Sequence, residues 1–279
     1  DIIGLRNYNR QNGFDRGDKL LKDFADILLR QFGDHRVCRF SGDQFAAVSD
    51  ESRVDDDLRA VLKACETAMD GKPLAVRVGI YPNSLENVDV NIACDRAKYA
   101  GDLHKGELSS SVTWFDEHMR RQAEIYRHIT NNLDRALEEG WVKVYYQPII
   151  RAADGKICDE EALARWNDPE LGFLSPDSFI PALEQYKLIY KLDLYVLEHV
   201  LEKMKLQREA GFYVVPQSVN LSRMDFESCD VVEEIRRRVD EAGVDRSMIT
   251  VEITESVIGS DFDFMKKQVA RFRELGFPV

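Results

Sequence analysis

The sequence predicts an α/β protein of 279 residues built from two units. From Val142 onward, short runs of β-forming residues alternate with segments of helical period, a pattern typical of parallel βαβ units. Before residue 116, amphipathic helices flank a hairpin pattern, which indicates a smaller α+β unit. The 44% hydrophobic and 32% charged residues are those of an ordinary globular protein. We therefore expect domains at 1–115 and 141–279 with a helical linker at 116–140.

The elements of the first half follow from apolar spacing and turn residues. Apolar residues at helical spacing predict a helix over 18–32. The run from Arg36 to Ser49 predicts two short strands that turn at Ser41-Gly42. The remaining predicted elements are helices over 54–69 and 90–100 and a strand over 74–80.

The linker and the second half are predicted in the same way. Residues 116–139 are polar with one apolar stripe, so we expect a long helix that covers a neighbouring core. Ser175-Pro176 suits a helix start, with serine as N-cap and proline at the first helical position. The other predicted elements are strands over 142–150, 157–166, 213–222 and 249–256, and helices over 191–210, 226–242 and 263–275.

Charge and cysteine content narrow the functional classes. The formal net charge of −12 argues against a nonspecific binder of nucleic-acid polymers, because neutralising phosphates requires a surplus of cations. A phosphate-bearing small molecule stays open, since bound divalent metals can invert the local charge. The five cysteines show no metal-binding spacing, which favours reduced thiols in the cytoplasm. No run is long and apolar enough for a membrane span, although an anchor upstream of Asp1 stays open.

Three predicted strands of the second half each carry polar residues among apolar neighbours. With a period of two, we expect Glu161, Asn220 and Glu252 on one face, with Arg165 beside Glu161. A parallel barrel would gather these side chains near the carboxyl ends of its strands. Carboxylate and amide oxygens suit Mg²⁺ or Mn²⁺. The alternative is a structural ion-pair network of Glu161, Glu252 and Arg165.

Five sequence blocks of the second half resemble the EAL-domain family of cyclic-di-GMP phosphodiesterases. In the family's order, they are Tyr146-Gln-Pro-Ile149, Glu161-Ala-Leu-Ala-Arg-Trp166, Ser175-Pro-Asp-Ser-Phe-Ile-Pro181, Ser218-Val-Asn-Leu-Ser222 and Val251-Glu-Ile-Thr-Glu-Ser256. Five ordered blocks are far more specific than a single short motif. The resemblance implies the N-terminal part of a TIM-like (β/α) barrel that linearises cyclic-di-GMP with Mg²⁺ or Mn²⁺.

The resemblance also implies roles for individual residues. It makes Glu161 and Glu252 catalytic metal ligands, and Glu255 a catalytic position that steadies an active-site loop. Further metal ligands and a catalytic lysine would follow Val279, so we expect the chain by itself to be inactive. The complete set implied by the resemblance is Glu161, Asn220 and Glu252 for metal, Gln147, Leu163 and Arg165 for substrate, and Glu161, Glu252 and Glu255 for catalysis.

Residues 1–115 resemble the GGDEF family of diguanylate cyclases, with a degenerate signature in the hairpin. Ser41 stands where the family has a glycine that allows close approach to a ligand. Gln44 replaces a carboxylate, and Asp102 falls where a lysine would face the triphosphate. The resemblance implies an inactive cyclase domain, with GTP binding and regulation of its neighbour left open. The implied nucleotide-binding residues are Asp1, Asn9, Asp18 and Asp43, although Asn9 as a turn residue and Asp18 as a helix N-cap are the plain alternatives.

These resemblances favour a role in cyclic-di-GMP signalling. The leading hypothesis is that the intact protein is a metal-dependent cyclic-di-GMP phosphodiesterase with a regulatory cyclase-like domain. One alternative is a nonenzymatic receptor for cyclic-di-GMP and GTP that passes its conformation to a partner. A second is a residual diguanylate cyclase. A homodimer and an upstream sensor or membrane region also stay open.

Overall fold

The computed structural model describes residues 1–69, 71–253 and 262–279. It divides the chain into two compact units, at 1–122 and 123–279. The predicted domain limits at 115 and 141 stay predictions, because a boundary between compact units does not define a homologous domain. None of the helices within the described ranges is long and apolar enough to cross a membrane.

The first unit contains short helices and two small sheets. The predicted hairpin is confirmed, since β1 and β2 pair antiparallel, while β3 and β4 pair parallel. The first helix and the last strand of this unit were not predicted from the sequence. The elements are α1 (Leu5–Asn12), α2 (Phe14–Phe32), β1 (Val37–Ser41), β2 (Gln44–Ala47), α3 (Val54–Cys65), β3 (Arg77–Ile80), α4 (Val90–Asp102) and β4 (Ser111–Trp114).

The apolar stripe of α2 forms the centre of the first unit's core. Leu20, Phe24 and Leu28 are buried from this helix. Phe24 meets Phe45 of β2 edge to face, with ring centroids 5.2 Å apart. This contact holds the hairpin against α2, since such aromatic pairs add to the free energy of apolar burial.

The second unit begins in α5 (Glu117–Glu138) and alternates strands with helices. Ile129, Leu133 and Ala136 of α5 are buried in its core, which confirms the predicted covering role of the apolar stripe. The remaining elements are β5 (Val142–Ile150), β6 (Ile157–Asp168), β7 (Gly172–Leu174), α6 (Pro176–Gln185), α7 (Ile189–Glu209), β8 (Gln217–Leu221), α8 (Arg223–Ser228), α9 (Val231–Glu241), β9 (Ile249–Ile253) and α10 (Phe262–Glu274).

The strands of this unit form one five-stranded sheet with the order β5-β6-β8-β9, and β7 pairs with β6. The pairs β6/β8 and β8/β9 are parallel, as the alternation of strands and helices predicted. The first pair, β5/β6, is antiparallel, so the expectation of parallel strands throughout was wrong there. The connection 151–156 is too short for the crossover that a parallel pair requires.

Several predicted boundaries were wrong, including the start of α2 and the end of α3. Two in the second unit were wrong for local reasons. The strand expected from Tyr213 begins only at Gln217, and Phe212 and Tyr213 are exposed. The helix expected over 226–242 is divided into α8 and α9. Asp230 starts the second helix as its N-cap and accepts a hydrogen bond from the Glu233 backbone N–H at 3.4 Å.

Candidate functional site

The register of four strands puts the predicted site residues of the second unit on one face of the sheet. Gln147 on β5 pairs with Glu161 on β6, which pairs in turn with Ser218 on β8. Two residues after Ser218 on β8, Asn220 pairs with Glu252 on β9. Paired residues point to the same side of a sheet, and side chains alternate along each strand. The predicted sharing of a face by Glu161, Asn220 and Glu252 is therefore confirmed.

The opposite face of these strands forms a hydrophobic core. Ala162, Val219, Leu221 and Val251 are buried there and pack with residues of α7 and α9. The helices therefore cover the apolar face, and the polar face points away from them. This division fixes the orientation of the site, because a register shift of one residue would move every polar side chain into the core.

A direct hydrogen bond connects two of the candidate ligands. Nδ2 of Asn220 donates to Oε1 of Glu161 at 2.9 Å. Because the bond uses the amide nitrogen, the amide oxygen of Asn220 stays available to a cation. Glu252 lies beside Asn220 in the register of β8 and β9. The three side chains thus offer carboxylate and amide oxygens along neighbouring strands.

These donors fit a small divalent cation by their chemistry. Mg²⁺ and Mn²⁺ prefer oxygen ligands, and Mg²⁺ is usually held by one or two carboxylates together with water and substrate phosphate. Within the described ranges, no cluster of three or more His, Cys, Asp or Glu side chains is arranged to hold a metal. Glu161, Asn220 and Glu252 instead offer two carboxylates and one amide. The roles of Glu161, Asn220 and Glu252 as ligands stay predictions.

The competing prediction of an ion-pair network is not supported by the contacts. In the part of the chain that the structure describes, neither Glu161 nor Glu252 forms an ion pair with Arg165. Instead, Nη1 of Arg165 donates to the carbonyl oxygen of Ala164 at 2.8 Å. The guanidinium therefore keeps further donors that a phosphate group could use.

The predicted substrate contacts extend the same face along β5 and β6. Leu163 pairs with Tyr145, and Arg165 pairs with Lys143, so these residues lie on the side of Glu161. Gln147 and Tyr145 are exposed, while Leu163 and Arg165 are partly buried. The face thus combines a glutamine, apolar surface and two cations beside the oxygen donors. The predicted catalytic residue Glu255 lies outside the described residues.

Asp159 is a further acidic residue of this face that was not predicted from the sequence. It precedes Glu161 by two positions on β6, and Oγ of Ser218 donates to its Oδ1 at 3.4 Å. Burial raises the pKa of Asp159, and the hydrogen bonds from the Glu160 backbone and Ser218 oppose that effect. The alternation of side chains along the strand, which placed Glu161 on this face, could have placed Asp159 there as well.

The predicted nucleotide-binding residues of the first unit occupy several elements. Asp1 pairs with Arg77, whose Nη1 lies 3.3 Å from Oδ2 of Asp1, and Asp43 lies in the hairpin turn between β1 and β2. Asn9 lies within α1, and exposed Asp18 lies within α2. The alternatives of a turn residue for Asn9 and a helix N-cap for Asp18 were therefore wrong.

Asn9 has an unusual environment among these residues. Its Oδ1 is buried and has no hydrogen-bond partner among the described residues. A Cβ atom added to Gly17 of α2 would lie 1.8 Å from this oxygen. The glycine therefore leaves the space into which the amide of Asn9 extends.

The fold and the polar face define the second unit as an α/β domain with an oxygen-rich site on its sheet. Residues 130–279 match the family described as EAL domain. This match covers more than half of the chain, and the chain belongs to this family.

Two curated relatives from Pseudomonas aeruginosa extend the similarity over nearly the whole chain. The cyclic di-GMP phosphodiesterase NbdA is 29% identical over 99% of this chain and 36% of its own length. The bifunctional diguanylate cyclase/cyclic di-GMP phosphodiesterase MucR is 25% identical over 94% of this chain and 40% of its own length. The chain thus spans little more than a third of these relatives.

Two solved structures show a similar fold. The PaMucR phosphodiesterase in its c-di-GMP complex is 28% identical, with a TM-score of 0.50, over 54% of this chain and 61% of that chain. The S helix-GGDEF-EAL structure of LapD from Vibrio cholerae, bound to c-di-GMP, has a TM-score of 0.58 at 16% identity. It covers 98% of this chain and 66% of that chain, and shows similarity of fold alone.

Proposed function

We propose that the second unit binds cyclic-di-GMP and that the whole protein hydrolyses it with Mg²⁺ or Mn²⁺ to a linear dinucleotide. One observation carries the proposal: the oxygens of Glu161, Asn220 and Glu252 lie on one face of neighbouring strands. The names of two relatives that match nearly the whole chain support cyclic-di-GMP as the substrate.

The residues of the polar face would have different roles in such a reaction. Glu161, Asn220 and Glu252 would hold the metal, which when bound activates water and stabilises charge on the phosphoryl oxygens. Arg165 binds a phosphate oxygen with the guanidinium donors that Ala164 does not use. The predicted contacts Gln147 and Leu163, and the predicted loop residue Glu255, complete this set.

We also infer that the sheet of the second unit belongs to a TIM-like barrel. The parallel strands β6, β8 and β9, with helices packed on their outer face, support this proposal. The polar face would then line the barrel interior, where active sites of this architecture lie near the carboxyl ends of the strands.

Binding to the 279-residue chain tests this proposal. Calorimetric titration with cyclic-di-GMP in the presence of Mn²⁺ should show binding, and Glu161→Gln should weaken the affinity for Mn²⁺ at least about tenfold. Glu209→Gln, an exposed glutamate at the end of α7, serves as the matched control and should bind as the unchanged chain does. Equal Mn²⁺ affinity in both variants would contradict the proposed metal site.

Turnover is tested on the whole protein, because the chain spans little more than a third of the relatives that it matches. Chromatography should detect a linear dinucleotide from cyclic-di-GMP, and the product should disappear in Glu161→Gln. Binding of cyclic-di-GMP without product in the whole protein would instead favour the receptor hypothesis.

For the first unit, we propose a degenerate GGDEF-like domain over 1–115 that binds GTP but makes no cyclic-di-GMP, followed by a helical linker over 116–140. The fold similarity to the LapD structure over 98% of the chain supports this proposal, as does the buried, unpartnered oxygen of Asn9. Asn9→Ala should abolish GTP binding, while Gln11→Ala, exposed on the same helix, should not. Formation of cyclic-di-GMP from GTP and Mg²⁺ would favour the residual-cyclase alternative.

A further inference from the structure

Three carboxyl groups from three helices of the second unit meet where β8 ends. Glu184 comes from α6, Asp193 from α7 and Asp225 from α8. Ser222, the residue after β8, lies among them and is the N-cap of α8. This acidic cluster is defined by Glu184, Asp193 and Asp225, and it lies outside the proposed metal and substrate contacts.

Ser222 is held by hydrogen bonds on both its backbone and its side chain. Its backbone N–H donates to Oδ2 of Asp225 at 2.6 Å, and its Oγ donates to Oε1 of Glu184 at 2.6 Å. The same Oγ accepts a hydrogen bond from the Met224 backbone N–H at 3.2 Å. The segment between β8 and α8 is therefore fastened through the acidic cluster.

Two members of the cluster face each other, and both approach the Ser222 backbone N–H as a donor. The carboxyl groups of Asp193 and Asp225 lie within hydrogen-bonding reach. Asp225 is fully buried, and no donor among the described residues reaches its Oδ1. Ionised carboxylates only accept hydrogen bonds, so two of them in contact require a proton on one.

The surroundings favour retention of that proton. Burial raises the pKa of Asp225 to about 6, and burial raises the pKa of Asp193 well above its usual value. From α6, the charge of Glu184 adds to both effects. Cys229, the residue after α8, has its Sγ 3.8 Å from the Asp225 carbonyl oxygen. The charged groups that act electrostatically on this thiol are Asp225, Asp230, Glu234 and Arg238.

We propose that Asp193 and Asp225 share one proton, and that this protonated pair fastens the end of β8, and with it Asn220, to α7. Asn220 lies two residues before Ser222 and one residue before the end of β8, so fastening Ser222 restricts where the amide of Asn220 lies. Asp193 and Asp225 act as positioning residues through Ser222. The consequence for metal binding rests on the proposed function, whereas the shared proton does not.

The pH dependence of stability tests the shared proton. A carboxyl whose pKa rises from 3.8 to about 6 on folding stabilises the protein most below pH 3.8, and that contribution is lost as the pH rises through 6. Asp225→Asn keeps a hydrogen-bond donor and does not titrate. Between pH 4 and pH 7, the midpoint of thermal unfolding of Asp225→Asn should rise relative to that of the unchanged chain by on the order of 5 °C.

Further variants separate a shared proton from two independent groups. Asp193→Asn should produce the same relative rise, and the double variant should add nothing, because one proton serves both carboxyls. Asp177→Asn, an exposed aspartate on α6, is the matched control and should show no rise. The proposal would be overturned if neither single variant showed the relative rise in unfolding midpoint, or if the double variant showed twice that rise.

The fastening of β8 has its own readout. At pH 7, hydrogen exchange at the Ser222 amide should be slower in Asp225→Asn than in the unchanged chain. The introduced amide still donates to Asp193, whereas the unchanged pair has lost its shared proton. Faster exchange in the variant would contradict the positioning role. At pH 5, the protonated-carboxyl band in infrared spectra should be stronger in the unchanged protein than in Asp225→Asn, and this excess should be lost at pH 8. Absence of the excess would refute the shared proton.

A cation in place of the proton is the remaining outcome. The pH dependence of thermal unfolding is therefore measured again with Mg²⁺ in the Glu161→Gln background, which removes the proposed metal site. If Mg²⁺ eliminates the difference between the parent and Asp225→Asn there, the cluster binds a cation and the proton proposal fails. Loss of Mn²⁺ binding or turnover in Glu161→Gln bears only on the proposed function, so failures of the two proposals can be distinguished.

Discussion

Asn220 donates a hydrogen bond of 2.9 Å to Glu161, although the two residues lie 59 positions apart in the sequence. The bond crosses from β8 to β6, which pair parallel through Glu161 and Ser218. It orients the amide so that its oxygen stays available beside two carboxylates. The neutral side chain between Glu161 and Glu252 also limits the repulsion that three carboxylates would produce.

Replacement of this amide by a carboxylate should make the second unit depend on metal. Asn220→Asp places a third negative charge beside Glu161, so we expect the chelated protein to lose about 1–2 kcal/mol of unfolding free energy. Mn²⁺ should then raise the unfolding midpoint more in this variant than in the unchanged chain.

The measurement is thermal unfolding with a chelator and with millimolar Mn²⁺. Asn83→Asp, in an exposed loop of the first unit, is the control and should respond like the unchanged chain. An equal Mn²⁺ response in Asn220→Asp and the control would argue against a cation at this face.

Asp168, which ends β6, should stabilise the second unit at neutral pH. Its Oδ1 accepts hydrogen bonds from the backbone N–H groups of Glu170 and Leu171 at 2.9 and 3.0 Å, and its Oδ2 lies 3.0 Å from Nε2 of His128. Burial alone would raise the pKa of Asp168, but these hydrogen bonds lower it below 3.8. The resulting stabilisation is present above pH 3.8 and is lost as the pH falls through the folded-state pKa.

Asp168→Asn should therefore cost about 1–3 kcal/mol at pH 7, because it weakens charge-assisted hydrogen bonds to a buried carboxylate. The cost should shrink when urea unfolding is repeated near pH 3. A cost that stays constant between the two pH values would show that the charge of Asp168 does not matter.

The third prediction concerns the hydrogen-bonded group of Lys203, Glu160 and Gln217 on the helix side of the sheet. Nζ of Lys203 on α7 donates to Glu160 and to Oε1 of Gln217, and it lies 3.6 Å from the centre of the Tyr146 ring. Nε2 of Gln217 donates to Oε2 of Glu160 at 2.7 Å. Burial alone would raise the pKa of Glu160, and the bonds from Lys203 and Gln217 lower it.

We expect Lys203→Met and Glu160→Gln to be strongly coupled, since either change leaves a partly buried group without its partner. Their double-mutant cycle in urea should give an interaction of about 1–3 kcal/mol. Lys205→Met, exposed on the same helix, should show no coupling to Glu160→Gln, and similar values for both lysines would contradict the network.

Much of the site was predictable because it depends on local periodicity. The period of two correctly placed Glu161, Asn220 and Glu252 on one face, and Ser175-Pro176 marked the start of α6. The bond between Asn220 and Glu161 was not predictable, because it requires the relative register of two distant strands. The antiparallel direction of β5 was missed because alternation is the same for either direction, although the six-residue connection 151–156 held the information.

The acidic cluster was also missed, for a different reason. Asp193 stands between the buried residues Leu192 and Leu194 of α7, so a carboxylate within an apolar segment was visible in the sequence. Its partner Asp225 follows 32 positions later, on a helix whose start was not predicted. Only the folded arrangement of α7 and α8 gives the first residue its partner.

The last prediction concerns Gly79, where β3 and α4 of the first unit approach each other with no room for a side chain. A Cβ atom at Gly79 would lie 1.7 Å from the carbonyl oxygen of Ala97 and 2.6 Å from the backbone nitrogen of Gly101. Both are backbone atoms, so a methyl group would have to separate the helix from the strand. Gly79→Ala should therefore cost at least about 3 kcal/mol and expose the core of the first unit.

Gly101→Ala gives the graded comparison. A Cβ there would meet the backbone nitrogen of Gly79 at 3.2 Å, which a small shift can relieve, and alanine has the higher helix propensity. Its cost should stay below about 1 kcal/mol, with urea unfolding as the measurement for both variants. Similar stability of the two variants would mean that β3 and α4 are not packed as closely as described.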